Sequence, residues 1–283
     1  MAITSITEQG KAFIRSVCEG IGSSLLNGKN NEGSLPYCYP ETSPSKVWYS
    51  QAKYNGTLIK TNQELGEALI VWFNKYGQQY QMDPNVIAAQ AYAESGYKLW
   101  NYPLTSTASG INQFIATTVY SMIINNSNFT QAEKNALTVG WSGNTMDMDT
   151  FRVDKPLGSR NRPYGHQNIC NNPEIMIKAQ FVYLKYISDK YTKGITSSTL
   201  FGYSRGEGLC TPSYSTSIQK AAKYKSGYEL EGVNYVLRIF NLLGKKPTQK
   251  GGNPHGYFGY DDLGMNLPFD SYKAEVDETN LRT

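Results

Sequence analysis

The strongest constraint on the fold is a series of helix start signals, each followed by an apolar stripe of helical period. Thr61 and Glu64 form a capping-box pattern, in which hydroxyl and carboxylate satisfy each other's backbone donors. Leu65, Leu69, Trp72 and Tyr76 then mark one helical face. Asp83-Pro84 opens the next helix, with Asp as N-cap and Pro at the first helical position. Gly96 and Pro103 mark its end and the loop beyond. A helix follows over Ile115 to Ile124, and Thr130 with Glu133 repeats the capping-box pattern. Asn172-Pro173-Glu174 starts a helix with Ile175, Ala179, Val182 and Tyr186 on one face, and residues 212–225 and 228–243 read as helices before a stop at Gly244. Near the N-terminus Ile14, Val17, Ile21 and Leu25 form a stripe over 6–26 that ends at Asn27-Gly28.

The expected fold is mainly α. Residues 1–60 are a helix and an irregular lead-in. Residues 61–244 are the main domain, with a small irregular or β-rich insertion at about 125–171, whose polar stretch 139–171 is rich in Gly, Pro and Asn. Residues 245–283 are an extended tail. No internal repeat is visible.

Composition narrows the function classes. The 283 residues are 40% apolar and 18% charged, enough for a core and unlike a disordered chain. A net charge of +4, scattered over the chain, does not predict nucleic-acid binding. No run of 18 apolar residues exists to span a membrane. With only His166 and His255, a His-based metal cluster is not expected, and neither His carries a triad motif. Cys18, Cys38, Cys170 and Cys210 lack a C-x-x-C pair; they allow three disulfide pairings or buried free thiols. The N-terminus shows no basic segment followed by an apolar core, so no secretory signal is expected. The unusual entry is 22 Tyr against 10 Phe: rings for a carbohydrate or interface surface, or core aromatics with bonded hydroxyls.

Glu94 is the acid that stands out. Ile87, Ala91 and Glu94 share a helical face, and Gly96 ends the helix beside it. A carboxyl desolvated there is held protonated near neutrality and serves as a general acid; the alternative is a solvated Glu in the last turn.

The residues around it extend the pattern. The stretch from Met82 to Tyr97, with its Ala93-Glu94-Ser95-Gly96-Tyr97, resembles the first motif of the soluble lytic transglycosylase and goose-type lysozyme superfamily, glycoside hydrolase family 23-like. Ala108-Ser109-Gly110-Ile111-Asn112-Gln113-Phe114-Ile115-Ala116-Thr117 resembles its Gly-Leu-Met-Gln motif. Asn172-Pro173-Glu174 with Tyr183-Leu184 looks like its Asp-Pro-Glu helix. Phe201-Gly202-Tyr203-Ser204-Arg205-Gly206 resembles Ala-Tyr-Asn-Ala-Gly, and Glu231-Gly232-Val233-Asn234-Tyr235-Val236 the Glu-x-x-x-Tyr-Val helix. Each piece is weak alone; five in the family's order, over about residues 65–244, are specific.

The resemblance implies a lysozyme-like α+β fold and a role for each matching residue. Glu94 is the single catalytic acid/base, and Ser95 hydrogen-bonds locally beside it. Gln113 lines the cleft and contacts substrate. Ser106 falls where some members carry a Ser near the acid, or is a turn serine. Tyr203 matches the Tyr of the Tyr-Asn motif, and Tyr235 matches a Tyr that hydrogen-bonds the catalytic carboxyl. Ser204 departs from the usual Asn and has a shorter reach toward an N-acetyl group. Asn112 departs from an apolar residue.

Glycosidases commonly use two carboxylates, whereas the resemblance implies one. Glu94 protonates the oxygen between N-acetylmuramic acid and N-acetylglucosamine in peptidoglycan glycan strands. The substrate's N-acetyl group stabilises the cation. Glu94 then takes the C6 hydroxyl proton as a 1,6-anhydro ring closes. No cofactor or metal is implied.

Two alternatives stand. One is a hydrolytic muramidase in which Asp147, Asp149 or Asp154 positions water, unless these are solvated loop acids. The other is a catalytically weak peptidoglycan-binding part of a tail or secretion assembly. The expected setting is a bacteriophage virion acting on the host periplasm or cell wall, with residues 1–60 and 245–283 either docking to virion or tail proteins or packing on the domain. A cytoplasmic endolysin and a secreted effector are the alternative settings.

Overall fold

The computed structural model describes residues 4–19, 25–29, 47–101, 108–139, 164–194, 196–209, 228–244 and 257–258. In chain order these form α1 (Glu8–Glu19), β1 (Asn27–Lys29), β2 (Val47–Tyr49), β3 (Lys53–Tyr54), β4 (Thr57–Leu58), α2 (Asn62–Tyr80) and α3 (Pro84–Ser95). Then come α4 (Ala116–Val119) with a π turn at Tyr120–Ile124, α5 (Gln131–Leu137), α6 (Tyr164–Asn171), and α7 (Pro173–Ile187) with a π turn at Ser188–Thr192. The last are α8 (Thr196–Arg205), a 3-10 turn at Glu207–Leu209, and α9 (Tyr228–Leu243). The described residues are therefore mostly helical, as expected. No helix among them is long and apolar enough to cross a membrane.

The start signals act through the predicted atoms. Thr61 Oγ1 accepts from the Glu64 N–H at 3.1 Å while Glu64 Oε2 accepts from the Thr61 N–H at 3.2 Å. Thr130 and Glu133 make the same reciprocal pair ahead of α5. Asp83 Oδ1 accepts from the Asn85 N–H at 2.9 Å, capping α3.

The β structure lies elsewhere than expected. The lead-in holds two small antiparallel pairs, β1 with β2 and β3 with β4, where the sequence shows no periodicity. Strands of two or three residues are too short to display an alternation. The β-rich reading of the insertion is corrected where it is described, since α5 and α6 are helical; residues 140–163 lie outside the described residues. The N-terminal stripe also overshoots. The last described residue of α1 is Glu19, and Leu25 and Leu26 are buried just before β1 rather than in a helix.

Two compact units divide the chain. One comprises Met1–Phe13, Tyr76–Ala93 and Phe181–Thr283; the other comprises Ile14–Lys75 and Glu94–Gln180. In the first unit, Tyr76, Tyr80 and Phe181 pack ring to ring with centroids 6.2–6.4 Å apart. Phe258 is fully buried, its carbonyl accepting from Thr7 Oγ1 at 2.7 Å and its N–H donating to Leu242 O at 3.1 Å. Gly10 is needed under that ring, because a Cβ there would sit 2.6 Å from Phe258 Cδ1. In the second unit, Trp72, Phe73, Leu65 and Leu69 of α2 are buried to 1% exposure or less. The capping Glu133 also pairs with Lys178 of α7, both Oε atoms lying within 2.9 Å of Nζ.

Candidate active site

Helix α3 is buried on every side from Pro84 to Ala91. A helix apolar all round belongs to a core, and burial relaxes only in the last turn, where Tyr92, Ala93 and Glu94 are partly exposed. Glu94 is thus a half-buried carboxyl where a core helix reaches accessible surface. Gly96 (φ +62°) and Tyr97 (φ +63°) both turn left-handed, and the Lys98 N–H donates to Ser95 O at 3.3 Å. The glycine takes this conformation without a Cβ penalty. Tyr97 is fully buried, with its ring 6.5 Å from that of Phe73.

The second motif forms a tight loop fastened to this helix end. Ser109 and Phe114 pair as an antiparallel bridge. Gly110 sits at φ +70°, where a Cβ would also meet Ile169 Cγ2 at 2.7 Å. Ser95, buried, donates through Oγ to Ile111 O at 2.9 Å. Gln113 Nε2 donates to Asn101 O at 2.6 Å and to Gly110 O at 2.8 Å, and the Gly110 N–H donates to the same Asn101 carbonyl. Asn112 is fully buried and donates through Nδ2 to Met176 O at 2.6 Å on α7.

The second unit thus brings Glu94, Ser95 and Gln113 onto one helix end and one loop. Ser95 ties the helix end to the loop through Ile111. Asn112 is a structural anchor, its amide supplying the donor that a buried carbonyl needs. The Gln113 amide nitrogen staples the loop.

Tyr203, Ser204 and Tyr235 belong to the first unit. The Tyr203 ring lies 5.5 Å from that of Tyr183, whose hydroxyl donates to Glu207 Oε2 at 2.8 Å. Ser204 Oγ accepts from Arg205 Nε at 3.0 Å, and Arg205 also pairs with Glu231 at 2.6 Å. Tyr235 is buried, and its hydroxyl accepts from Gln90 Nε2 at 2.9 Å. Ser106, Asp147, Asp149 and Asp154 lie outside the described residues.

No family model, curated protein or solved structure matches the chain. Among the described residues no group of three or more His, Cys, Asp or Glu is placed to hold a metal ion. Cys18 and Cys170 are buried thiols rather than half-cystines, while Cys38 and Cys210 lie outside the described residues. Burial pushes the Cys18 thiol up to about 12, helped by Glu19 and Glu67, so it is a poor nucleophile. Sequence reasoning missed two hydrogen-bonding residues, one in each unit. Asn101 receives the loop's hydrogen bonds through its backbone, which leaves no signal in the sequence. Gln90 does leave one: an amide inside an otherwise apolar run.

Proposed function

We propose that this chain is a peptidoglycan-cleaving enzyme of lysozyme-like fold and lytic transglycosylase type, with Glu94 as its single acid/base. The observation that carries the reading is Glu94's position: a half-buried carboxyl on the last turn of a buried helix, beside a loop held by Ser95. A carboxyl there exchanges protons with a substrate while the buried helix keeps it in place, as a general acid that later acts as base requires. The order of the five motifs supplies the substrate class. Glu94 protonates the glycosidic oxygen between N-acetylmuramic acid and N-acetylglucosamine. It then accepts the proton of the muramoyl C6 hydroxyl as that oxygen closes onto C1, giving a 1,6-anhydro end.

Mass spectrometry of digested, purified peptidoglycan tests this. Anhydro ends are expected from the native protein. Glu94→Gln, with its fold intact by circular dichroism, is expected to lose cell-wall clearing by at least about 100-fold, the range of a general acid. Clearing retained by Glu94→Gln removes the assignment, and products without anhydro ends make the enzyme a hydrolytic muramidase.

One observation favours a second reading, a catalytically weak peptidoglycan-binding component: the Gln113 amide nitrogen and the Ser204 hydroxyl are both engaged locally. A turbidity assay on purified cell walls separates the two, since that component binds without clearing.

A further inference from the structure

A pocket of about 240 Å³ lies within the first unit, where the start of α3, the end of α7 with its π turn and the start of α8 meet. Its buried lining is mainly aliphatic: Val86 and Ile87 of α3, Leu184 of α7 and Leu200 of α8 are each at most 5% exposed. Asp83, which caps α3, is the one charged residue in the lining, and no Lys, Arg or His joins it. Gln81, Ser188, Thr196 and Thr199 add neutral side-chain oxygens. The walls are fixed by bonds already in place. Asp83 Oδ1 accepts from the Asn85 N–H at 2.9 Å and from Asn85 Nδ2 at 2.8 Å. The Thr192 and Thr199 hydroxyls lie 2.6 Å apart and tie the π turn to α8, while Ser188 O accepts from the Gly194 N–H at 3.3 Å. The proposed reaction uses none of these residues.

An aliphatic wall with a single carboxylate and several neutral oxygens selects a ligand of the opposite arrangement: a hydrocarbon chain that ends in a positive charge. An ammonium carries three N–H donors and no acceptor, and a carboxylate binds it more strongly than a neutral oxygen does. An anion would face Asp83 with no cation beside it. A wholly apolar group would cover the carboxylate without answering its charge. Size points the same way. Pockets for drug-sized ligands begin at about 300 Å³, so this one suits a group of side-chain size. We propose that the pocket binds an aliphatic primary ammonium on a chain about as long as that of lysine, carried by a free alkylamine or a lysine-type side chain. The alkyl stem lies on the surface formed by Val86, Ile87, Leu184 and Leu200, and the ammonium meets Asp83. Such a site does not depend on Glu94 being an acid, and its test uses no cell-wall cleavage.

The test is an NMR titration of the full chain, methyl-labelled at Ile, Leu and Val, with n-pentylamine hydrochloride at constant ionic strength and about pH 7, where the amine is charged. The methyl signals of Val86, Ile87, Leu184 and Leu200 are expected to shift together and to saturate with one Kd. The alcohol n-pentanol, of equal chain length and uncharged, is expected to bind at least about tenfold more weakly, the range of a charged hydrogen bond. The shorter n-propylamine loses two methylenes of contact, each worth up to about fourfold. Asp83→Asn keeps a side chain that caps a helix. It is expected to weaken n-pentylamine at least about tenfold and to leave n-pentanol unchanged. Should that variant fail to fold, Ser188→Leu replaces it: the larger side chain, from a partly exposed position, is expected to fill the pocket and abolish binding of both. A parallel titration with N-acetyl-lysine methylamide separates the two sources. Binding of n-pentylamine alone assigns the pocket to free amines, and binding of both assigns it to lysine-type side chains. Pocket methyl signals that do not move, equal affinity for amine and alcohol, or unchanged amine affinity in the variant that folds overturn the proposal.

Discussion

Lys178 and Glu133 show how a single residue can hold two tasks in this fold. Glu133 completes the α5 capping box and also takes the Lys178 ammonium, whose side chain is only 9% exposed. Partial burial pushes the Glu133 carboxyl up, but the hydrogen bonds from Lys178 and from the Thr130 N–H, with the ammonium's charge, outweigh it and hold the group below its usual range. A lowered carboxylate contributes stability that is fully present above its unfolded value, about 4.3, and is lost as pH falls through the folded value. Lys178→Met is therefore expected to cost about 2 kcal/mol at pH 7, less than a fully buried pair because Glu133 is partly exposed. The deficit is expected to shrink as pH falls from 7 toward 3, where the native pair also comes apart. Thermal melts across that range check it, and a deficit independent of pH would show that Lys178 acts by packing alone. Gln113 carries the complementary lesson. Its identity matched a motif, yet the hydrogen bonds its amide nitrogen makes belong to the loop's own backbone.

Among the elements, α3 departs most from an ordinary amphipathic helix. Its small residues, Ala88, Ala89 and Ala91, are wholly buried and let neighbouring side chains close on it from all sides. Such a helix is a rigid base for the carboxyl at its end. The α8–α9 packing depends on a bare backbone in the same way. A Cβ at Gly232 would meet Arg205 Cγ at 2.5 Å and the Phe201 ring at 2.6–2.8 Å. Phe201 is fully buried and has little room to retreat. Gly232→Ala is expected to destabilise the chain by about 1–3 kcal/mol through overpacking, more than the helix-propensity gain of about 1 kcal/mol returns. Denaturant melts decide this, and a stabilised variant would mean that α8 shifts freely away from α9.

At the scale of the whole molecule, each compact unit draws on distant parts of the chain. The first is closed by its two ends. The Thr7 hydroxyl bonds the Phe258 carbonyl across 251 residues, and Phe13 lies against both Tyr257, at 4.7 Å between ring centroids, and Phe258, at 5.4 Å. Thr7 and Phe13 from one flank and Tyr257 and Phe258 from the other thus pack together in the first unit. Deleting residues 245–283 takes Phe258 away and leaves its seat against Gly10 and Phe13 empty. The expected loss is about 3–5 kcal/mol, that of a buried Phe, with earlier proteolysis within α1. Limited proteolysis and melting of the truncated chain check this; an unchanged melting temperature would mean that the Phe258 contact contributes nothing.

The sequence by itself determined the helical class, the capping residues that start α2, α3 and α5, the start of α7, and the acid at the end of α3. These are local matters: a cap needs a hydroxyl or carboxylate within three residues of its donor, and a stripe needs only its own period. Tertiary structure alone decided that α3 is buried on all sides, that Asn112 bonds Met176, that Gln90 bonds Tyr235, and that Phe258 closes onto α1. Those contacts join residues 64 to 251 positions apart, or a side chain to a backbone carbonyl that has no identity in the sequence. The short strands stayed hidden because two or three residues cannot show a period. The candidate site was legible where it follows a helix end and illegible where it is held together by backbone atoms.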